Sequence, residues 1–505
     1  MLKHAAMAAL PKSLPRIAVA LGFPAASQLI RAAECEYKDG NTLLEFRLDH
    51  LADAASGIHV IRSFLRKYPD AHILATCRRQ PNHGGFSGSI EQQVAILADA
   101  GKIGSSALDL EIESAEQAKP ALASLRESAA LIVSYHNFES TPALAGILRR
   151  LQRVPADAYK AVFTARKPSD NLRLIEFARE HQDPPLIAFT MSEIGLATRV
   201  LAPSLGCPFT YAAPRNNAGT APGQIAANVM HSLYRCEKLG RQTRIYGVIA
   251  DPVAHSKSPL IHNRAFQARR IDAVYLPFLV PPAHLSDWMK LASALPVAGF
   301  SVTIPHKQRI LSHLHIVEPF AKRVGAVNTV WRKGGKWRGT NTDAEGVLKP
   351  LSRRLRLAHA NILIAGYGGA ARSAAIALCD AGANITITGR KMERAQALAR
   401  AAKAEIVSLQ EAQSRHFDAL VHATPVGMSP KTGECLFNDQ IPADVVLDMV
   451  YNPQETLLLK RAKEQGCTII PGSEMLIEQA ARQFEIWTGE SAPRTLMQSA
   501  LDQYD

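Results

Sequence analysis

Between Pro15 and Tyr211, short apolar runs recur roughly every 25 to 30 residues: RIAVALG from Arg16, TLLEFRL from Thr42, HILATC from His72, ALDLEI from Ala107, ALIVSY from Ala130, DAYKAVFT from Asp157, PLIAFT from Pro185 and PFTYAA from Pro208. Runs of this length read as buried strands. Helix-patterned segments such as SGIHVIRSFLRKY (56–68) and SDNLRLIEFAREH (169–181) lie between them. Strand and helix alternating eight times imply a (β/α)8 barrel, which would place chemistry at the carboxyl ends of the strands.

At 505 residues the chain exceeds one ordinary core and implies two or three domains. Its seven cysteines are scattered and never spaced as CxxC, which argues against a disulfide framework or a zinc site and implies no metal. A reducing, cytoplasmic location fits them best. The first residues carry one lysine before an apolar stretch broken at Pro11 and Pro15, too short for a signal or membrane span. Net charge is +13, yet Lys and Arg are dispersed among acids without an aromatic-basic array, so neither nucleic acid nor membrane is expected as a partner. Small anionic substrates and a phosphorylated cofactor would account for a positive field near the clefts.

Polar residues gather where a barrel would need them: Glu45, Arg47, Arg78, Glu111, His136 and Lys160. In DAYKAVFT the lysine alternates with residues facing the helices, so Lys160 points into the barrel, where burial disfavours its charged form and makes the amine a better nucleophile. SYHNF (134–138), MSEIGLATRV (191–200) and GTAPGQI (219–225) follow the same order as in the type I 3-dehydroquinate dehydratases, a family this half resembles. The resemblance implies that Lys160 condenses with a substrate ketone, and that His136 removes a proton and later delivers one to the departing hydroxyl. It further implies that Arg47 and Arg199 hold carboxylate and hydroxyls, with Glu45, Arg78, Thr220 and Gln224 completing the lining. One departure is visible. Many members of that family carry a glutamate just before a Gly-Gly pair after the third strand, whereas RRQPNHGGF (78–86) presents His83, leaving Asn82 and His83 as the polar groups there.

After AANVMHSLYRCEKLG (226–240) a fresh strand, IYGVIAD, begins behind a short linker. GVIADPVAHSKSPLIHN (247–263), SVTIPHK ending at Lys307, GAVNTV (325–330), GTNTDAEG containing Asp343, IAGYGGAAR (364–372) and MLIEQA (475–480) occur in an order that resembles shikimate dehydrogenase from Tyr246 onward. By that resemblance Ser256 and Ser258 bind the substrate carboxylate, and Thr303, Asn328, Tyr451 and Gln479 enclose the ring hydroxyls and the ketone. Lys307 and Asp343 stand beside the carbonyl as catalytic residues, their opposite charges favouring an ion pair that keeps the lysine protonated.

NILIAG (361–366) reads as a strand, and Gly366, Gly368 and Ala371 satisfy G-x-G-x-x-A before a helix beginning near Ala370; NITITG (384–389) follows at βαβ spacing. Loop amides of Gly368, Gly369 and Ala370 and the helix N-terminus can then receive a diphosphate. GRKMER (389–394) offers Arg390, Lys391 and Arg394 where an NAD site would present an acid, so a 2′-phosphate and hence NADP(H) fits better. HATPVGM, DMVY and GSEML resemble the segments that flank the nicotinamide, implicating Thr424, Met449, Gly472 and Met475.

The expected architecture is α/β: a dehydratase barrel over 14–235, a substrate-binding domain over 244–345 completed by about 472–505, and a Rossmann-type NADP-binding domain over 346–471. Together these imply a bifunctional dehydratase and dehydrogenase acting on 3-dehydroquinate and then 3-dehydroshikimate, with the oligomeric state open. Two alternatives stand beside it: an NAD-dependent quinate or shikimate dehydrogenase with an impaired barrel, and a non-catalytic metabolite-sensing regulator.

Overall fold

Alternation along the first eight strands decides which side chains meet. The computed structural model describes residues 9–11, 13–181, 183–215, 219–220, 223–389 and 392–503. The strands β1 (Ile17–Leu21), β2 (Leu43–Arg47), β3 (His72–Thr76), β4 (Ala107–Glu111), β5 (Ala130–Asn137), β6 (Ala158–Thr164), β7 (Leu186–Met191) and β8 (Thr210–Ala212) coincide with the eight apolar runs. They form one parallel sheet ordered β7-β6-β5-β4-β3-β2-β1-β8. Its two ends curl together: Phe189 on β7 and Tyr211 on β8 lie with ring centroids 5.9 Å apart.

One interior cluster holds Ala18, Ala20, Leu43, Leu74, Ala107, Ala130, Ile132, Ala158, Val162, Ile187, Phe189 and Tyr211. Stepping by two residues from these positions gives Glu45 and Arg47, Thr76 and Arg78, Asp109 and Glu111, Ser134 and His136, and Lys160. The barrel interior is thus apolar toward the amino ends of the strands and polar toward their carboxyl ends.

The chain divides into two compact units, residues 1–243 with 278–296, and 244–277 with 297–505. Two six-stranded sheets follow the barrel. In the first, β9 (Arg244–Ala250), β10 (Ala273–Leu279), β11 (Val297–Val302), β12 (Ile316–Val317), β13 (Thr329–Lys333) and β14 (Lys336–Thr340) are ordered β10-β9-β11-β13-β14-β12. In the second, β15 (Asn361–Ala365), β16 (Asn384–Thr388), β17 (Glu405–Ile406), β18 (Phe417–His422), β19 (Ala443–Asp448) and β20 (Thr468–Ile470) are all parallel, ordered β17-β16-β15-β18-β19-β20. Along β15, Ile362 and Ile364 enter one hydrophobic cluster while Leu363 and Ala365 enter another, so helices cover both faces of this sheet. No helix among the described residues is long and apolar enough to cross a membrane.

The helix Gly472–Thr488 returns to the first of these sheets. Trp487 donates its indole N–H to the Val330 carbonyl at 3.0 Å, and the approach is possible because residue 299 on β11 has no side chain. A β-carbon on Gly299 would lie 2.6 Å from Trp487 Nε1 and 2.7 Å from the Val330 oxygen. Gly299→Ala is therefore expected to destabilise the second unit by about 1–3 kcal/mol, an overpacking cost. Urea denaturation followed by tryptophan fluorescence measures this, and a shift well under 1 kcal/mol would show that the helix is not held tightly there.

Candidate active sites

At the carboxyl end of the barrel a cleft of about 520 Å³ is lined by Glu45, Arg47, Arg78, His83, His136, Lys160, Arg199, Thr220 and Gln224, with Phe138, Val162, Phe189, Met191 and Tyr211 as its apolar walls. The eight residues expected here from the sequence thus share one cavity. Lys160, 4% exposed, donates to Asp109 Oδ2 at 2.9 Å, lies 3.8 Å from Glu45 Oε1, and stands 4.0 Å from the centre of the Tyr211 ring. Asp109 also accepts from Arg78 at 3.1 Å and from the Ser134 hydroxyl at 2.7 Å, while Thr76 donates to Glu45 at 2.8 Å.

Burial lowers the Lys160 pKa from its ordinary value, with Asp109 and Glu45 opposing that shift. For Asp109, burial pushes upward, but the Lys160 and Arg78 cations outweigh it and hold the carboxyl below the usual carboxylate range. Burial and the neighbouring Arg78 and Lys160 charges likewise depress His136. An imidazole in this setting is a proton acceptor near neutrality. Its ring stacks beside Phe138 at 6.1 Å between centroids, and the Phe138 ring also meets His83 at 4.4 Å in a tilted contact.

The arginines differ in how they are compensated. Arg47 is held by Asp49 through two bonds of 2.9 and 2.7 Å. Arg199 is 1% exposed, lies 4.5 Å over the Phe189 ring and makes a 3.4 Å bond to the Tyr211 carbonyl; it has no carboxylate partner among the described residues, and its Nε has no hydrogen-bond partner there. Burial pushes its pKa down to about 10. A buried guanidinium left in this state is suited to pairing with an anion.

The departing loop after β3 separates its two candidates. His83, at φ +60°, reaches the cleft lining, whereas the Asn82 amide donates to Glu113 at 3.0 Å and does not line it. Glu111, grouped with the site in the sequence, instead accepts from the Arg79 amide at 3.2 Å and from Gln93 at 2.8 Å, holding this loop. Asp109 is what sequence reasoning missed; it shares a face of ALDLEI with Glu111, so strand parity could have found it.

Removing the Asp109 charge leaves two buried cations without their shared anion. Asp109→Asn is expected to cost the barrel about 3–5 kcal/mol at neutral pH. Because the folded-state pKa of Asp109 is depressed, its contribution is present above the unfolded value of 3.8 and is lost as pH falls through the folded value. Thermal unfolding of parent and variant should show a constant difference above about pH 5 that shrinks as the pH falls below 3.8; a difference that stays constant down to about pH 2 would contradict this account.

In the second unit a cleft of about 740 Å³ gathers Ser256, Ser258, Thr303, Lys307, Asn328, Asp343, Tyr451 and Gln479, together with Ser301, Leu476 and Gln483. Lys307 donates to Asp343 Oδ2 at 2.6 Å, and the Asn328 amide donates to Asp343 Oδ1 at 2.7 Å. Asn328 is fixed in turn, its oxygen accepting from the Thr342 amide at 2.8 Å and the Thr329 hydroxyl at 2.7 Å. Met475, Gln479 and Gln483 are spaced by four along Gly472–Thr488 and so share one helical face. Gln483, which the sequence reading did not single out, lies one turn beyond Gln479 and takes the Ser301 hydroxyl at 2.8 Å.

Of the expected nucleotide contacts, Ala370, Met449, Gly472 and Met475 reach this cleft; Gly366, Gly368, Gly369 and Thr424 do not line it but lie at the carboxyl ends of β15 and β18. Gly366 has φ +124°, and a β-carbon there would meet the Ala423 carbonyl at 2.8 Å. Gly368 and Gly369, at the N-terminus of the helix Gly369–Asp380, have open space among the described residues where a β-carbon would stand. A helix N-terminus and room for close approach fit a dinucleotide diphosphate. Arg390 and Lys391 lie outside the described residues, as does the side chain of Arg394.

The family of type I 3-dehydroquinases matches residues 17–241. The shikimate dehydrogenase substrate binding domain matches 248–330, shikimate / quinate 5-dehydrogenase 350–427, and the shikimate 5'-dehydrogenase C-terminal domain 472–501. A shikimate dehydrogenase (NADP(+)) of Thermosynechococcus vestitus is 40% identical over 278 residues, 52% of this chain and 97% of that protein. A crystal structure of a shikimate dehydrogenase in complex with NADP+ superposes with a TM-score of 0.50 at 36% identity, covering 53% of this chain and 97% of its own. Similarity across both units comes from the chloroplastic bifunctional 3-dehydroquinate dehydratase/shikimate dehydrogenase of Arabidopsis thaliana, 33% identical over 490 residues, 92% of this chain and 80% of that protein. With both clefts built in one chain and the likeness running through both, the protein belongs to the bifunctional 3-dehydroquinate dehydratase/shikimate dehydrogenase family.

Proposed function

We propose that the first unit dehydrates 3-dehydroquinate to 3-dehydroshikimate and that the second reduces this ketone to shikimate with NADPH. The observation that carries the reading is the pairing, in one cleft, of a buried lysine with a buried arginine that has no carboxylate partner among the described residues: an amine for a ketone and a cation for a carboxylate.

In the barrel, Lys160 Nζ adds to the substrate ketone and water leaves, giving an iminium whose positive nitrogen stays beside Asp109 and Glu45. Depression of the Lys160 pKa raises the fraction of free amine at a given pH. His136 takes the proton made acidic by the iminium and returns one to the departing hydroxyl, so a second water is lost; hydrolysis of the iminium restores Lys160. Arg199 receives the carboxylate, and the Thr220–Gln224 pair, joined at 2.8 and 3.3 Å, closes over the hydroxyls with Arg47, Arg78 and Glu45.

In the second unit NADPH supplies a hydride when bound, and Lys307 delivers the proton to the ketone oxygen. Asp343 orients the lysine and Asn328 orients Asp343. Ser256 and Ser258 face the carboxylate, and Thr303, Tyr451 and Gln479 the ring. The unit reads as a substrate lobe over 244–345 completed from about 472, and a nucleotide lobe over 346–471. Basic residues Arg390, Lys391 and Arg394 suit the 2′-phosphate. Seven free cysteines fit a reducing compartment such as the cytoplasm.

Purified protein given NADPH and only 3-dehydroquinate is expected to oxidise the cofactor and form shikimate, at a rate that 3-dehydroshikimate also supports. Consumption with 3-dehydroshikimate alone would mean that the RRQPNHGGF loop has left the barrel inactive; none with either would overturn the reading. Lys160→Ala should lower dehydration by more than about 1,000-fold, a loss on the scale of removing a covalent catalyst, while reduction of added 3-dehydroshikimate is unchanged. Borohydride should trap a substrate adduct on Lys160, with yield rising with pH and levelling below 10.5, the ordinary lysine value; an adduct on any other residue would exclude the assignment.

A further inference from the structure

At the carboxyl ends of β18 and β19 two buried side chains and the half-buried Thr424 form a chain of hydrogen bonds that neither half-reaction uses directly. His422 Nδ1 lies 2.8 Å from Asp448 Oδ1, and His422 Nε2 lies 2.5 Å from Thr424 Oγ1. His422 is 1% exposed and Asp448 0%. The Asp448 carboxylate also accepts from the Val450 amide at 3.0 Å and the Thr456 hydroxyl at 2.6 Å. With both its oxygens accepting, it fixes the proton of His422 on Nδ1, so Nε2 is the acceptor. Thr424 Oγ1 accepts from the Val426 amide at 3.3 Å, which leaves its own proton to point at His422.

We infer that His422 is a positioning residue for the reacting half of the dinucleotide. This rests on reading Thr424 and Met449 as neighbours of the nicotinamide. The hydrogen bonds determine how those two residues are held: Thr424 is rotationally fixed by His422, and Met449 follows Asp448 directly, its amide donating to the His422 carbonyl at 3.0 Å. Met449 lines the same cleft as Lys307 and Asp343. The carbonyl of Ala423, between His422 and Thr424, is the atom a β-carbon on Gly366 would strike, so the same segment packs on the glycine turn. The adenosine end, by contrast, belongs at the end of β16, where none of these three residues lies.

The test separates the two halves of the cofactor. Binding of NADPH and of adenosine 2′,5′-bisphosphate, which lacks the nicotinamide half, is measured calorimetrically on the full chain. His422→Phe and Thr424→Val are each expected to weaken NADPH about tenfold and the bisphosphate less than twofold, and the double variant is expected to be no weaker than either single one, since both break the same link. Equal weakening of both ligands would assign His422 a packing role only, and additive effects would separate it from Thr424; either overturns the inference. Imidazole ¹⁵N shifts in the unaltered protein should report the Nδ1–H tautomer, and an Nε2–H tautomer would refute the hydrogen-bond chain whatever the variants do. Failure of the unaltered protein to bind NADPH would instead overturn the nucleotide reading itself.

Discussion

A lysine and an arginine cannot both sit inside a barrel without an anion between them, and Asp109 supplies it. Lys160 and Arg78 approach the same carboxylate from β6 and the end of β3, and the Ser134 hydroxyl takes up further acceptor capacity. The desolvation of three charges is severe, and their mutual attraction, with the hydrogen bonds that converge on Asp109, offsets it. The consequence reaches the chemistry: an amine with its counter-charge at 2.9 Å can become an iminium without the site gaining net charge. On the proposed covalent route, the charge created on capture is one the barrel already holds in its resting state.

The second unit solves a related problem differently. Its lysine is only partly buried, and the burden falls on geometry: Asp343 opens the helix Asp343–Ser352, Asn328 ends the segment before β13, and the helix face carrying Met475, Gln479 and Gln483 forms the opposite wall. Acidic residues at a helix start are favoured by the exposed amides there. Lys307, the proton donor of the proposed reaction, thus sits in a cleft built by elements from three separated parts of the sequence.

Much of this was legible in the residues because strand parity is simple. Once DAYKAVFT is a barrel strand, Lys160 must face inward with Ala158 and Val162, and the eight strand positions follow from apolar runs alone. The same parity marks both Asp109 and Glu111, and nothing in ALDLEI says which carboxylate meets the lysine; that depends on the loop after β3, whose Arg79 amide captures Glu111. Likewise Asn82 and His83 are adjacent in sequence, and only the left-handed turn at His83 sends one to the cleft and the other to Glu113. Gln483 was open to a helical count from Gln479, whereas the His422–Asp448 pairing links residues 26 apart on neighbouring strands and becomes visible only in the register of β18 and β19.

The helix Gly472–Thr488 lies more than two hundred residues after β9, yet it walls the cleft that β9 and β11 begin to build. During synthesis the barrel strands are complete well before this helix leaves the ribosome. At about 5–20 residues per second, the sheet of β9 to β14 waits about 7 to 30 seconds for its last wall, with the surface meant for Trp487 still uncovered. The two catalytic units thus mature at different moments of translation, and the period of greatest exposure to chaperones or misassociation belongs to the second.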